Sequence, residues 1–130
     1  MEKDAWQMIN FTGTILRLDG IPDASGDIFD ENTTIELPSR EVPVTFEFHK
    51  EPEFHLGWAR LYFRPGELKY DMRLDETRLP KYALDDLTPA ICGSCKGRNG
   101  KKIEYASISS IGLSTSKNMD LRIKSLKDQK

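Results

Sequence analysis

Two cysteines three positions apart, Cys92-Gly-Ser-Cys95, have the spacing of redox dithiols and of half a zinc site. Redox chemistry wants the first thiol at a helix N-terminus after a strand, whereas this pair precedes a Gly-rich hairpin. Zinc needs two more ligands, and only His49 and His55 complete a Cys2His2 set with Cys92 and Cys95. The plainer reading is a turn holding two small reduced residues. His49 suggests a second chemistry, because an imidazole that titrates near neutrality can take a proton from a hydroxyl nucleophile within hydrogen-bond reach. Its plainer reading is a polar residue at a strand end. Thr88, Ser94, Ser107, Ser109, Ser110 and Ser114 are the available hydroxyls, and no G-x-S-x-G elbow singles one out. Asp19, Asp23, Asp27 and Asp30 offer hard oxygen ligands for calcium, but their spacing is not that of an EF-hand; turn chemistry accounts for the same Asp and Gly residues.

The elements that must position these groups centre on Val42–Leu74, which holds three runs rich in β-branched and aromatic residues, separated by short breakers. We read a three-strand antiparallel meander. Val42, Val44, Phe46 and Phe48 share one face of its first strand, which ends at His49. Gly57 in the second strand allows another backbone to pass close by. Leu68, Tyr70, Met72 and Leu74 alternate with Glu67, Lys69, Asp71 and Arg73 in the third, the plainest half-buried strand in the chain. Residues 10–18 predict a first strand, and residues 32–37 a short strand or one helical turn. Leu79, Ala83 and Leu87 predict a single helix over 75–87. Beyond it come a strand or turn at 88–94, a hairpin loop at 96–101 with Asn99-Gly100 at its tip, and a long strand over 102–116. In that last strand neither face is cleanly polar, which suits a central or curling position.

With 130 residues and 38% hydrophobic content, the chain suits one domain, residues 1–126, followed by a solvated tail at 127–130. A net charge of -2 gives no electrostatic footprint for nucleic acid. No apolar run reaches the roughly twenty residues that span a bilayer, so no membrane partner is expected. The N-terminus lacks the layout of a secretory signal, which predicts a cytoplasmic protein with reduced thiols and no cofactor.

The order of motifs resembles the prohead (procapsid) maturation proteases of tailed bacteriophages, including the Mu-type protease/scaffold branch, whose fold is similar to that of the herpesvirus assembly proteases. The residues carrying the resemblance are GTILRL followed by ASGDIFD, VPVTFEFH with LGWARLYF beyond the histidine, GELKYDMRL, LTPAI, and SISSIGLSTSKNMDLRIKSL. The resemblance implies a mainly β fold, a small antiparallel barrel or sandwich with one short helix. It puts His49 on the family's catalytic histidine. The nucleophile falls on Thr88 if LTPAI matches the family's Leu-Ser-Pro-Ala segment, or on Ser110 if SSIGL matches the Ser-Ile-Gly form; a threonine rarely serves without a terminal amine as base. An active member would be a serine-type endopeptidase with its oxyanion held by backbone N–H groups near Gly112 or Gly93. A non-catalytic member would be a capsid-assembly protein, procapsid-associated, with capsid or scaffold proteins as partners and self-association through open strand edges.

Overall fold

The structure, a computed structural model, describes residues 8–47, 51–79, 87–115, 120, 122, 123 and 126. Its strands are β1 (Met8–Arg17), β2 (Thr34–Glu36), β3 (Val42–Phe46), β4 (His55–Arg64), β5 (Glu67–Asp75), β6 (Thr88–Asn99) and β7 (Lys102–Ser114). All belong to one sheet in which β1, β5, β4, β3 and β7 are neighbours in that order. β6 lies antiparallel along β7 from end to end, so β2 and β3 share the opposite flank of β7, β2 beside residues 105–107 and β3 beside residues 111–113.

The predicted meander is present as β3, β4 and β5, antiparallel throughout. Its tight turn is set by Pro65-Gly66, where proline fixes the first central residue and Gly66 supplies the positive φ of 77° that a type II turn requires. On β5, Leu68, Tyr70, Met72 and Leu74 are all at most 1% exposed, as their alternation predicts. Burying such side chains is worth about 1.5–3 kcal/mol apiece, which makes β5 the spine of the core. Val42 and Val44 of β3, Ala59 of β4 and Ile111 and Leu113 of β7 pack into the same cluster. The undecided segment at 32–37 is a strand whose central Ile35 is buried beside Ala106.

Two expectations change. The sheet is mixed rather than simply antiparallel, because β2 and β3 run parallel to β7. Direction reverses at each step from β3 through β4, β5 and β6 to β7, and four reversals bring β7 back to the direction of β3. The sheet is also open: among the described residues no ladder joins β1 to β6, although Ile15 and Leu16 of one and Ala90 and Ile91 of the other line a common cleft of about 150 Å³. Of the predicted helix, residues 80–86 lie outside the described residues. Its start is a 3-10 turn, Glu76–Arg78, capped by the Asp75 carboxylate, which accepts from the Thr77 N–H at 3.0 Å. Leu79 and Leu87 are both buried.

β7 explains its own ambiguous pattern. Its buried apolar side chains are Ile103, Ala106, Ile108, Ile111 and Leu113, a spacing of three, two, three and two. The threes fall where the pairing with β6 shifts register, leaving Glu104 and Ser109 opposite no residue. Each extra residue switches which parity points inward, so a strand with one buried face reads in sequence as having none. Lys96 is the corresponding extra residue on β6, Ile15 on β1 and Leu56 on β4. The hairpin joining β6 to β7 is tighter than predicted: Asn99 pairs with Lys102, and only Gly100, at φ 63°, and Lys101 form the loop. No helix among the described residues is long and apolar enough to cross a membrane.

Candidate functional site

Three strands end together at one lip of the sheet, and the predicted hydroxyls divide according to whether they reach it. Phe46 at the end of β3 pairs with Leu113, and the Glu47 N–H donates to the Leu113 carbonyl at 2.7 Å. Thr88, the first residue of β6, pairs with Ser114, the last of β7. Thr88 and Ser114 are therefore neighbours beside the point where the chain leaves β3. Ser110 stands four residues back along β7, about 13 Å away, opposite Cys92. Of the two nucleophile positions, Thr88 shares this lip and Ser110 does not.

Glu47 organises the lip. Its Oε1 accepts from the Ser114 hydroxyl at 2.7 Å, and its Oε2 from the Thr115 hydroxyl at 3.0 Å and the Thr115 N–H at 3.3 Å. Its φ of 53° is left-handed, a conformation that costs a side-chain-bearing residue about 1–2 kcal/mol. The hydrogen bonds offset that cost and tie the end of β3 to the end of β7. His49 follows two positions later, outside the described residues. Thr88 is 6% exposed and Ser114 5% exposed, so both hydroxyls lie below the surface. A carboxylate is a weaker base than an imidazole, and the Ser114–Glu47 hydrogen bond by itself does not mark Ser114 as a nucleophile. Gly112 lies inside the sheet between Ala90 and Thr45, where its backbone groups face neighbouring strands. Gly93 faces Ile108 at the Ser109 register shift, and a Cβ on it would lie 1.8 Å from the Ser107 carbonyl oxygen.

The described members of the metal set, Cys92, Cys95 and His55, are spread across the sheet, and His49 lies outside the described residues. Cys92 and Cys95 are free thiols on β6 rather than in a turn. Residues three apart on an extended strand point to opposite faces about 10 Å apart along the chain. His55 begins β4, which is separated from β6 by β3 and β7, a distance of about 14 Å across the sheet. Its Nε2 lies 2.9 Å from the Gly57 carbonyl oxygen, and its ring meets Trp58 edge-on at 4.8 Å. Among the described residues no three His, Cys, Asp or Glu side chains are grouped to hold a metal ion.

The Asp-rich loop is built by its own carboxylates. Asp23 Oδ1 accepts from the N–H groups of Ser25 and Asp27 and from the Ser25 hydroxyl, all within 3.0 Å, as Asx turns do. Asp27 pairs with Arg98 at 3.0 Å, Asp30 with Lys102 at 3.3 Å, and Asp19 with Arg122. The Arg122 guanidinium holds the Asp19 carboxyl below the usual carboxylate range. These oxygens tie the loop to the β6–β7 hairpin and to the C-terminal segment.

Two features were not foreseen. The role of Glu47 has no signal in sequence, because it depends on a backbone angle and on the end of a strand 67 positions away. The second is a row on the outer face of β4, where Trp58, Arg60, Tyr62 and Arg64 follow one another at alternate positions. That periodicity was visible in the sequence as aromatic and Arg residues two apart. No protein family, no curated protein and no solved structure matches the chain.

Proposed function

We propose that this chain is a non-catalytic capsid-assembly module of a tailed bacteriophage or prophage, a prohead-protease-like β core that curls toward a barrel and has lost its nucleophile. The order of motifs supports it, with His49 three positions after the end of β3, a Gly-Trp strand after it, and Thr88 at one of the two positions where the resemblance puts the serine, Ser110 being the other. The observation that carries the loss of catalysis is the condition of the hydroxyls at the lip. Thr88 and Ser114 are both nearly buried, and Ser114 donates to Glu47 rather than standing open to a peptide carbonyl. Capsid or scaffold proteins are the partners this reading supplies, and the edges of β1 and β6, which have no further strand neighbour among the described residues, give a route to self-association.

One observation favours the active serine-type endopeptidase as a second reading: Thr88, Ser114 and the exit of β3 toward His49 share one end of the sheet. A fluorophosphonate probe separates the two. No adduct on folded protein, with co-sedimentation of the chain alongside procapsids assembled from tailed-phage capsid and scaffold proteins, is the expected result. An adduct on Thr88 or Ser114 that disappears in His49→Ala replaces the assembly reading with the enzyme.

A further inference from the structure

The outer face of β4 and β5 is charged and aromatic where an unoccupied sheet face needs only to be polar. We infer that it is a docking surface for an extended acidic segment of a protein partner, an inference that rests on the assembly reading and names the face and the chemistry of the contact. Trp58 is 38% exposed at one end of the row. Further along, Tyr62 lies between two guanidinium groups, Arg60 at 5.5 Å and Arg64 at 4.7 Å from its ring centroid. The inward neighbours Ala59, Leu68, Tyr70 and Met72 are fully buried, so the row stands on a rigid base.

The charges on this face are not all satisfied within the molecule. Arg60 pairs with Asp71 at 3.0 Å and Arg73 with Glu41 at 2.6 Å. Arg64 has Glu67 as its cross-strand partner, yet it leans over Tyr62, and the Glu67 carboxylate instead accepts from the Thr14 hydroxyl. Lys69, cross-strand partner of Tyr62, has no carboxylate partner among the described residues. Among the described residues Arg64 and Lys69 thus have no ion-pair partner, and both lie beside Tyr62 with Glu67 as the carboxylate opposite Arg64 on the strand pair, in a chain whose net charge is -2.

That arrangement selects carboxylates of an extended chain. The row from Trp58 to Arg64 spans about 20 Å in a straight line, the length of roughly six residues of an extended peptide. Stacking on Tyr62 holds the guanidinium forks in place before binding, which lowers the entropy lost on contact. It also covers the Tyr62 ring, so a nucleic-acid base has only Trp58 on which to stack. Trp, Tyr and Arg are the residue types that dominate binding energy at protein interfaces.

The test is fluorescence anisotropy of the folded chain with a fluorescein-labelled peptide rich in Glu and Asp, with its Gln/Asn counterpart and with oligothymidylate. The acidic peptide is expected to bind and to weaken as salt rises, with about tenfold loss in Arg64→Glu and about thirtyfold loss in Trp58→Ala. Both side chains are exposed, and an unchanged thermal melt shows that the variants remain folded. Equal binding of the Gln/Asn peptide, tighter binding of oligothymidylate, no binding, or variants that bind like the parent would each overturn the inference. Procapsid co-sedimentation scored in parallel keeps the two proposals apart: failure of the peptide with co-sedimentation intact sinks this surface alone, and loss of co-sedimentation sinks the assembly reading.

Discussion

The β4–β5 and β6–β7 hairpins are both long antiparallel pairs with tight glycine-bearing turns, yet only the first can be read directly from its residues. From Gly57↔Leu74 to Arg64↔Glu67 the β4–β5 pairing is unbroken, and every second residue of β5 from Leu68 to Leu74 is buried. The β6–β7 pairing shifts register at three places. Regular pairing preserves the period of two over the whole strand. Extra residues break it into short pieces of alternating parity, each obeying the rule that the full strand violates.

Single-residue deletions sharpen this contrast most. Removing Asp71 from β5 joins Tyr70 to Met72 and turns two core side chains of the strand toward solvent, an expected loss of about 3–6 kcal/mol in urea unfolding. Removing Ser109, the unpaired residue of β7, leaves Ile108, Ile111 and Leu113 at regular alternate positions and costs only the bend and the Ser109 hydroxyl bond to the Cys92 carbonyl, so the domain stays folded. Equal damage from both deletions would break the account of β7.

Glycine substitutions follow in size. A Cβ at Gly57 would lie 1.9 Å from the Arg73 carbonyl oxygen, and one at Gly93 1.8 Å from that of Ser107. Both glycines adjoin register shifts, Gly57 next to the extra Leu56 and Gly93 paired with Ile108, next to the extra Ser109. Either change to Ala is expected to destabilise by about 3 kcal/mol or more, read as a lowered midpoint of thermal unfolding. A smaller effect of opposite sign is expected within the regular hairpin. The Tyr70 hydroxyl is buried with no hydrogen-bond partner among the described residues, and burial pushes its pKa up. Tyr70→Phe removes that unmet polar group and keeps the ring, so a gain of about 1 kcal/mol is expected from the same melts. A loss would show that the hydroxyl has a partner in solution.

The functional residues divide along similar lines. Cys92 and Cys95 drew attention through a spacing that is diagnostic on a turn or helix, but β6 is extended there and separates them. His49 and Thr88 were matched by the order of segments around them, and the pairing of Thr88 with Ser114 puts one of the two beside the end of β3. Ser110 stood as the alternative to Thr88 because two short motifs on different strands both match the family's serine segment, and local order does not say which strand end reaches the lip. Glu47 had no standing at all.

Alternation and turn chemistry alone determined the meander, its buried face, the turn at Gly66 and the hairpin at Gly100, since each depends on contacts between residues close in the chain. The parallel pairing of β3 with β7, the parity switches at Glu104 and Ser109, and the Glu47 clamp were decided only in three dimensions. They join segments more than sixty positions apart, or follow from which strand lies opposite, and neither is written in the local order of side chains.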